Sequence, residues 1–226
     1  MAIVDARYRF MFIDVGAYGR NSDGGTFSNS TFGKAILEGS LPAPGAANLP
    51  NSDISNPHVF VADEAFPLRS TIMRPYLGRD LTKEKKIFNY RLSRARRCVE
   101  NAFGIFSSRW RIFQRPLDVH PDSLGDVIKA AVALHNFLRA TDSQELSAHQ
   151  YAPTSLIDRE DSSGVFVPGG WRSEPASMLP SVSQTSSNHP SKAAIQVRED
   201  FTRFFFSVAG RVAWQDTVIE RGRRPE

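Results

Sequence analysis

Cysteine is almost missing from this chain: Cys98 stands alone among 226 residues. No intrachain disulfide can form, which points to a reducing compartment and excludes the disulfide-stapled secreted scaffolds. Cys98 adjoins Val99 in a helical pattern with no histidine beside it in sequence, so it reads as a small packing residue. Long apolar runs are missing too. No stretch of about 18 apolar residues occurs, which excludes a membrane-spanning helix, and the opening MAIVDARYRF lacks the basic-then-apolar layout of a signal peptide. A cytosolic or nuclear protein is expected. Acidic residues are scarce in one place above all. Between Lys83 and Arg115 only Glu84 and Glu100 stand against ten lysines and arginines.

What is present suffices for a packed core. The hydrophobic fraction is 41% and the charged fraction 23%, the balance of a globular protein diluted by polar segments, with length for one ordinary domain and appendages or for two small ones. The formal net charge is only +4, but it is unevenly placed. The density in 83–115 favours a polyanionic partner, because each phosphate neutralised releases counterions; a merely solvated basic helix is the alternative. In that stretch Phe88, Leu92, Ala95, Val99, Ala102, Phe103 and Phe106 fall on one helical arc, the pattern of a core-packing face. Arg96, Arg97 and Glu100 project at its edge. Glu100 there either pairs with Arg96 at i, i+4, an interaction of about 0.2–0.5 kcal/mol, or faces a cleft as a functional carboxylate.

The remaining segments follow in chain order. Ala2–Val4 and Tyr8–Val15, rich in Ile, Val, Phe and Tyr, predict a hairpin. A glycine-rich turn follows, without the GK[ST] ending of a phosphate-binding loop, and then a helix from about Asn29 to Glu38. Asp23 in that turn reads as a turn or cap residue, or as a ligand. After the loop Ser40–Pro57, the apolar run His58–Ala62 predicts a strand buried on both faces and ending at Asp63. A carboxylate at such a strand end is costly unless capped, paired or metal-bound. The loop Met73-Arg-Pro-Tyr-Leu77 either touches nucleic acid or packs. Pro121–Arg139 predicts a helix in which His135 and Asn136 are satisfied core polar groups. From Thr141 to Ala193 the composition turns to Ser, Pro, Asp, Gln and Asn, that of a loosely ordered linker, and Ala194–Trp214 predicts a helix that docks on the main domain. Arg221, Arg223 and Arg224 make a short basic tail.

Four stretches taken together, VDARYRFMFIDVGAYGRNSDGGTF, VFVADEAFPL, NYRLSRARRCVENAFGIFSSRWRIF and AAVALHNFLR, resemble the nuclease domain of PIF/Harbinger-type transposases and their domesticated relatives, a branch of the DDE superfamily; QVREDFTRFFFSVAGRVAWQ resembles their C-terminal segment. The resemblance implies an α/β, ribonuclease H-like mixed sheet flanked by helices, here lacking its first strand. It divides the chain into a truncated nuclease domain over 1–140, a low-complexity linker over 141–193, and a C-terminal helix and basic tail over 194–226. It implies cleavage of DNA phosphodiesters in the nucleus with a divalent metal, Mg²⁺ or Mn²⁺, held by converging carboxylates. Asp63 in ADEAFP matches the family's second catalytic carboxylate and Glu100 in RRCVENAFG its third, with Asp23 as a secondary metal ligand. The family's first aspartate lies upstream of the segment matched by MAIVDARYRF. Lys86, Arg96, Arg97, Arg109 and Arg111 are the expected DNA contacts, and a separate DNA-binding protein is an expected partner. The alternative is a non-catalytic DNA-binding or protein-interaction module.

Overall fold

The computed structural model describes residues 1–16, 23–142, 150–173 and 190–221. Its elements are β1 (Ala2–Val4), β2 (Phe10–Ile13), α1 (Asp23–Asn29), α2 (Thr31–Glu38), β3 (Ala47–Asn48), β4 (Ser55–Asn56), β5 (Phe60–Val61), β6 (Ile72–Met73), α3 (Lys83–Arg109), α4 (Pro121–Thr141), β7 (Arg159–Glu160), β8 (Phe166–Val167), α5 (Lys192–Phe206) and α6 (Gln215–Arg221). The chain is mixed α/β, as expected. The expected single mixed sheet is not what the described residues form: they make four separate two-stranded pairs, three antiparallel and one, β5 with β6, parallel. Two compact units divide the chain, Met1–Gly19 with Arg97–Ser181 and Arg20–Arg96 with Val182–Glu226.

In the first unit β1 and β2 pair antiparallel through a tight turn, with Asp5 accepting the amides of Arg7 and Arg9 on its carboxylate. Tyr8 takes the left-handed conformation, φ 64°, that closes such a turn. A tyrosine there is strained, and three contacts hold it: its carbonyl accepts from His135, the Arg139 guanidinium lies 5.6 Å from its ring centroid, and Arg139 Nε donates to the carbonyl of Arg7. The core gathers Phe10, Ala102, Phe106 and Ala131, with Trp110 and Phe113 packed on it. Asn136 is satisfied as expected: its amide accepts from Phe10 N and donates to Phe10 O, capping the β2 edge as another strand would. His135 is fully buried. A carbonyl can only accept, so its 2.8 Å contact with Tyr8 O puts the proton on Nε2, and Nδ1 accepts from the Tyr151 hydroxyl. Burial depresses the His135 pKa, so the ring stays neutral, and burial pushes the Tyr151 hydroxyl up to about 12.

In the second unit the helix expected from about Asn29 to Glu38 forms as α2, with Ser30 capping it by accepting the Gly33 amide, while α1 occupies part of the stretch read as a glycine-rich turn. Gly33 packs so tightly that a Cβ would lie 1.7 Å from the Phe27 carbonyl oxygen. The core comprises Leu68, Met73, Phe88, Leu92, Ala194 and Val197. The C-terminal helix expected over Ala194–Trp214 ends early, at Phe206 with Ser207 as its cap, and a separate helix α6 begins at Gln215. The segment docks within this unit as expected: Arg91 donates to Gly210 O, and Trp214 donates to the Tyr90 hydroxyl.

The α3 stripe departs from the expected arc. Ile87, Phe88, Leu92, Ala102, Ile105 and Phe106 are buried, but Ala95 is exposed and Phe103 is 48% exposed; Leu134 of α4 is 49% exposed. Ile87 and Ile105 fill the places instead. Among the described residues no helix is long and apolar enough to cross a membrane.

Candidate active site

Asp63 and Glu100 fall in different units, and each is defined by its own surroundings. Asp63 directly follows the parallel pair, whose ladder continues through Ala62 N to Met73 O at 2.9 Å. Its Oδ1 accepts the amide of Ala65 at 3.0 Å, a local turn that fixes the side chain, and its Oδ2 lies 3.6 Å from Arg96 Nη2. The side chain is 38% exposed, so more than a third of it meets solvent. Asp23 is the first residue of α1, and its side chain lies outside the described residues. The next residue, Gly24, meets the Asp63 turn so closely that a Cβ would sit 3.1 Å from Ala65 O.

Glu100 does not make the i, i+4 pair with Arg96 that is one of its two readings from the sequence. Its Oε2 instead accepts from Arg172 Nη2 at 3.2 Å. Arg172 is held from behind by Asp158, whose carboxylate is fully buried and accepts Arg172 Nε, Arg172 Nη2 at 2.6 Å and the amide of Gly169 at 2.7 Å. The Asp158 hydrogen bond, ahead of the Glu100 charge, raises the Arg172 pKa. Asn101, one residue beyond Glu100, anchors the same segment: its side chain accepts Asp158 N and donates to Asp158 O, while Trp171 Nε1 donates to its Oδ1. Trp171 lies flat against α3 at Gly104, where a Cβ would come within 2.3 Å of the indole. Arg172 stacks on Trp171 at 4.3 Å from the ring centroid. None of Asp158, Trp171 or Arg172 carries a sequence pattern that marks it. Residues 150–173 sit inside the stretch read as linker, and the described part of that stretch holds two strands and a short 3-10 turn, Gly170–Ser173.

The expected DNA contacts are placed unevenly. Arg96 faces Asp63, and Arg97 makes a 2.8 Å ion pair with Glu160 in which both side chains are largely buried. Arg109 donates to the carbonyls of Tyr151 and Gln150. Lys86 and Arg111 have no ion-pair partner among the described residues. Arg223 and Arg224 of the basic tail lie outside the described residues. Cys98 is half-buried and burial raises its thiol pKa, in keeping with a packing role.

Comparison with known proteins matches residues 1–136 to the DDE superfamily endonuclease family. The chain belongs to that family. The matched span contains Asp23, Asp63, Glu100 and the whole of α3. An Arabidopsis thaliana relative, protein ALP1-like, is 29% identical over 148 residues, which are 64% of this chain and 36% of the relative. The chain thus spans about a third of that relative's length, and the resemblance to Harbinger-type proteins read from the sequence is borne out. No solved structure matches.

DDE superfamily endonucleases generally use divalent metals, and no metal site is shown among the described residues, which leave out the Asp23 side chain. Among the described residues no group of three or more Asp, Glu, His or Cys side chains is close enough to share an ion. Asp63 and Glu100 each face a guanidinium, which takes the electrostatic place of a cation.

Proposed function

We propose that this chain is a transposase-derived DDE-type domain acting on DNA in the nucleus, with metal-dependent cleavage of DNA phosphodiesters as its ancestral activity. The observation that carries this reading is the family match over 1–136, which spans both carboxylate motifs, with Asp63 at the carboxyl end of a parallel strand pair as open α/β sites require. A ribonuclease H-like arrangement is part of the proposal, supported by the antiparallel β1–β2 hairpin, the parallel β5–β6 pair and the long helix α3 carrying Glu100. Asp63 and Glu100 are the proposed catalytic and metal-binding carboxylates, Asp23 a supporting one, and Mg²⁺ or Mn²⁺ the proposed cofactor. A separate DNA-binding protein is the proposed partner for site recognition.

A second reading is favoured by the guanidiniums on Asp63 and Glu100: a DNA-binding or interaction module that keeps the scaffold without the chemistry. Plasmid nicking with Mg²⁺ or Mn²⁺ separates the two. Cleavage by the purified chain that disappears in Asp63→Ala and in Glu100→Ala supports the endonuclease; binding of DNA without nicking in either metal supports the module.

A further inference from the structure

Arg74 and Arg198 are two half-buried cations of the second unit, each with a buried Nε that lacks a hydrogen-bond partner and neither with an ion-pair carboxylate among the described residues. Arg74 follows β6 in the loop Met73-Arg-Pro-Tyr-Leu77, and its Nη1 donates to the carbonyls of Phe66 at 3.2 Å and Glu64 at 3.4 Å, both in the turn that follows Asp63. Its Nε is buried with no hydrogen-bond partner. Arg198 comes from α5 and lays its guanidinium 3.9 Å from the centroid of the Tyr76 ring; its Nε is likewise buried and unpartnered. Lys85 Nζ stands 5.2 Å from the same centroid. Among the described residues neither arginine has an acidic side chain within ion-pair distance; Glu199 attracts Arg198 only from farther away.

The Tyr76 ring that carries Arg198 is fixed. Thr202 donates to the Arg198 carbonyl, so the Tyr76 hydroxyl donates to Thr202 Oγ1 at 3.0 Å. The Tyr76 amide donates to Asn89 Oδ1 at 2.8 Å, and its carbonyl accepts from Asn89 Nδ2 at 2.9 Å. Burial lowers the Arg198 pKa, and the nearby positive charge of Arg74 lowers it further. Stacking on Tyr76 accounts for one face of Arg198, but it leaves the buried Nε unanswered and does nothing for the repulsion from Arg74. Half-buried charges of one sign with orphaned donors are costly unless an anion completes them, and the guanidinium fork matches phosphate oxygens.

We propose that Arg74 and Arg198, with Lys85 beside them, form a phosphate-binding subsite next to the Asp63 turn that takes a backbone phosphodiester of nucleic acid. Only the source of the phosphate rests on the proposed function; the subsite itself stands on the two arginines.

The test uses the full chain and two probes: inorganic phosphate, read as protection against thermal unfolding relative to chloride at matched ionic strength, and a labelled DNA duplex, read by anisotropy across a salt series. Phosphate is expected to protect the wild type, with the apparent affinity falling about tenfold in Arg74→Gln and in Arg198→Gln and partly recovering in Arg198→Lys. The log–log salt slope for the duplex should fall by about 1 for each arginine removed. Equal phosphate protection in wild type and both Gln variants overturns the subsite. Should Arg198→Gln fail to fold, Arg74→Gln decides, because it leaves the Tyr76 stack in place. Phosphate protection that depends on Arg74 in a chain that binds no duplex, or whose duplex slope is unmoved, overturns the nucleic-acid source and identifies a free-phosphate site instead.

Discussion

Arg172 touches two carboxylates with unequal consequences. Towards Glu100 it offers one 3.2 Å contact between side chains that are 38% and 43% exposed, and such a pair is worth about 0–1 kcal/mol. Towards Asp158 it makes a bidentate, charge-assisted contact with a carboxylate that has no solvent access and that also satisfies the Gly169 amide. Removing that carboxylate strands a buried donor and breaks a partly buried pair, at about 2–3 kcal/mol. Asp158→Ala is therefore expected to lower the urea-unfolding free energy by that amount, and Glu100→Gln by less than about 1 kcal/mol. Equal losses would mean that Glu100, not Asp158, anchors the arginine. The comparison also bears on the site: the Glu100 pair is cheap to open, so a competing cation need displace only a weak contact.

At the scale of elements, α3 shows how much the sequence revealed and where it stopped. Its helical identity and the burial of Phe88, Leu92, Ala102 and Phe106 follow from periodicity, as does the helix carrying His135 and Asn136. Periodicity cannot say which edge of the arc is covered, so Ala95 and Phe103 were placed inside and Ile87 and Ile105 were not. Candidate carboxylates were legible because they sit in compact motifs, but their partners were not: Arg172 and Asp158 lie 72 and 57 positions from the α3 residues they meet, in a stretch whose polar composition mimics a linker. The signal for that docking is Gly104. A glycine inside a helix costs about 0.5–1 kcal/mol relative to alanine unless something needs the space, and here the Trp171 indole does. Gly125 of α4 has nothing within 4 Å of where its Cβ would be. Gly125→Ala should raise stability by about 0.5–1 kcal/mol, whereas Gly104→Ala should lower it and shift the tryptophan emission as Trp171 is displaced. Thermal unfolding followed by fluorescence checks both, and a stabilised Gly104→Ala protein would refute the Trp171 contact.

At the scale of the molecule, positive charge in the sequence is not the same as positive charge offered to a ligand. Of the cations between Lys83 and Arg115, Lys83 pairs with Asp216, Arg91 donates to Gly210 O, Arg94 stacks on Trp214, Arg96 faces Asp63, Arg97 pairs with Glu160 and Arg109 holds the Tyr151 carbonyl. Much of the density that suggests a polyanion partner is thus spent on the chain itself. Lys85, Lys86, Arg111 and Arg115 remain without an ion-pair partner among the described residues, and of these Lys86 and Arg111 are the ones expected from the sequence at phosphates. Each phosphate contact contributes about 0.9 to the slope of log affinity against log salt, so Lys86→Ala with Arg111→Ala should flatten that slope by about 2 while leaving the unfolding midpoint unchanged. Arg97→Ala should do the reverse. It breaks the largely buried ion pair with Glu160 and should lower stability by about 1–3 kcal/mol, and should leave the salt slope of the surviving folded protein where it was. A duplex-binding salt series on the three proteins, with urea midpoints measured in parallel, distinguishes these effects. An Arg97→Ala chain of native stability and flattened slope would show that the Arg97–Glu160 pair opens in solution and that this arginine, too, is available to DNA.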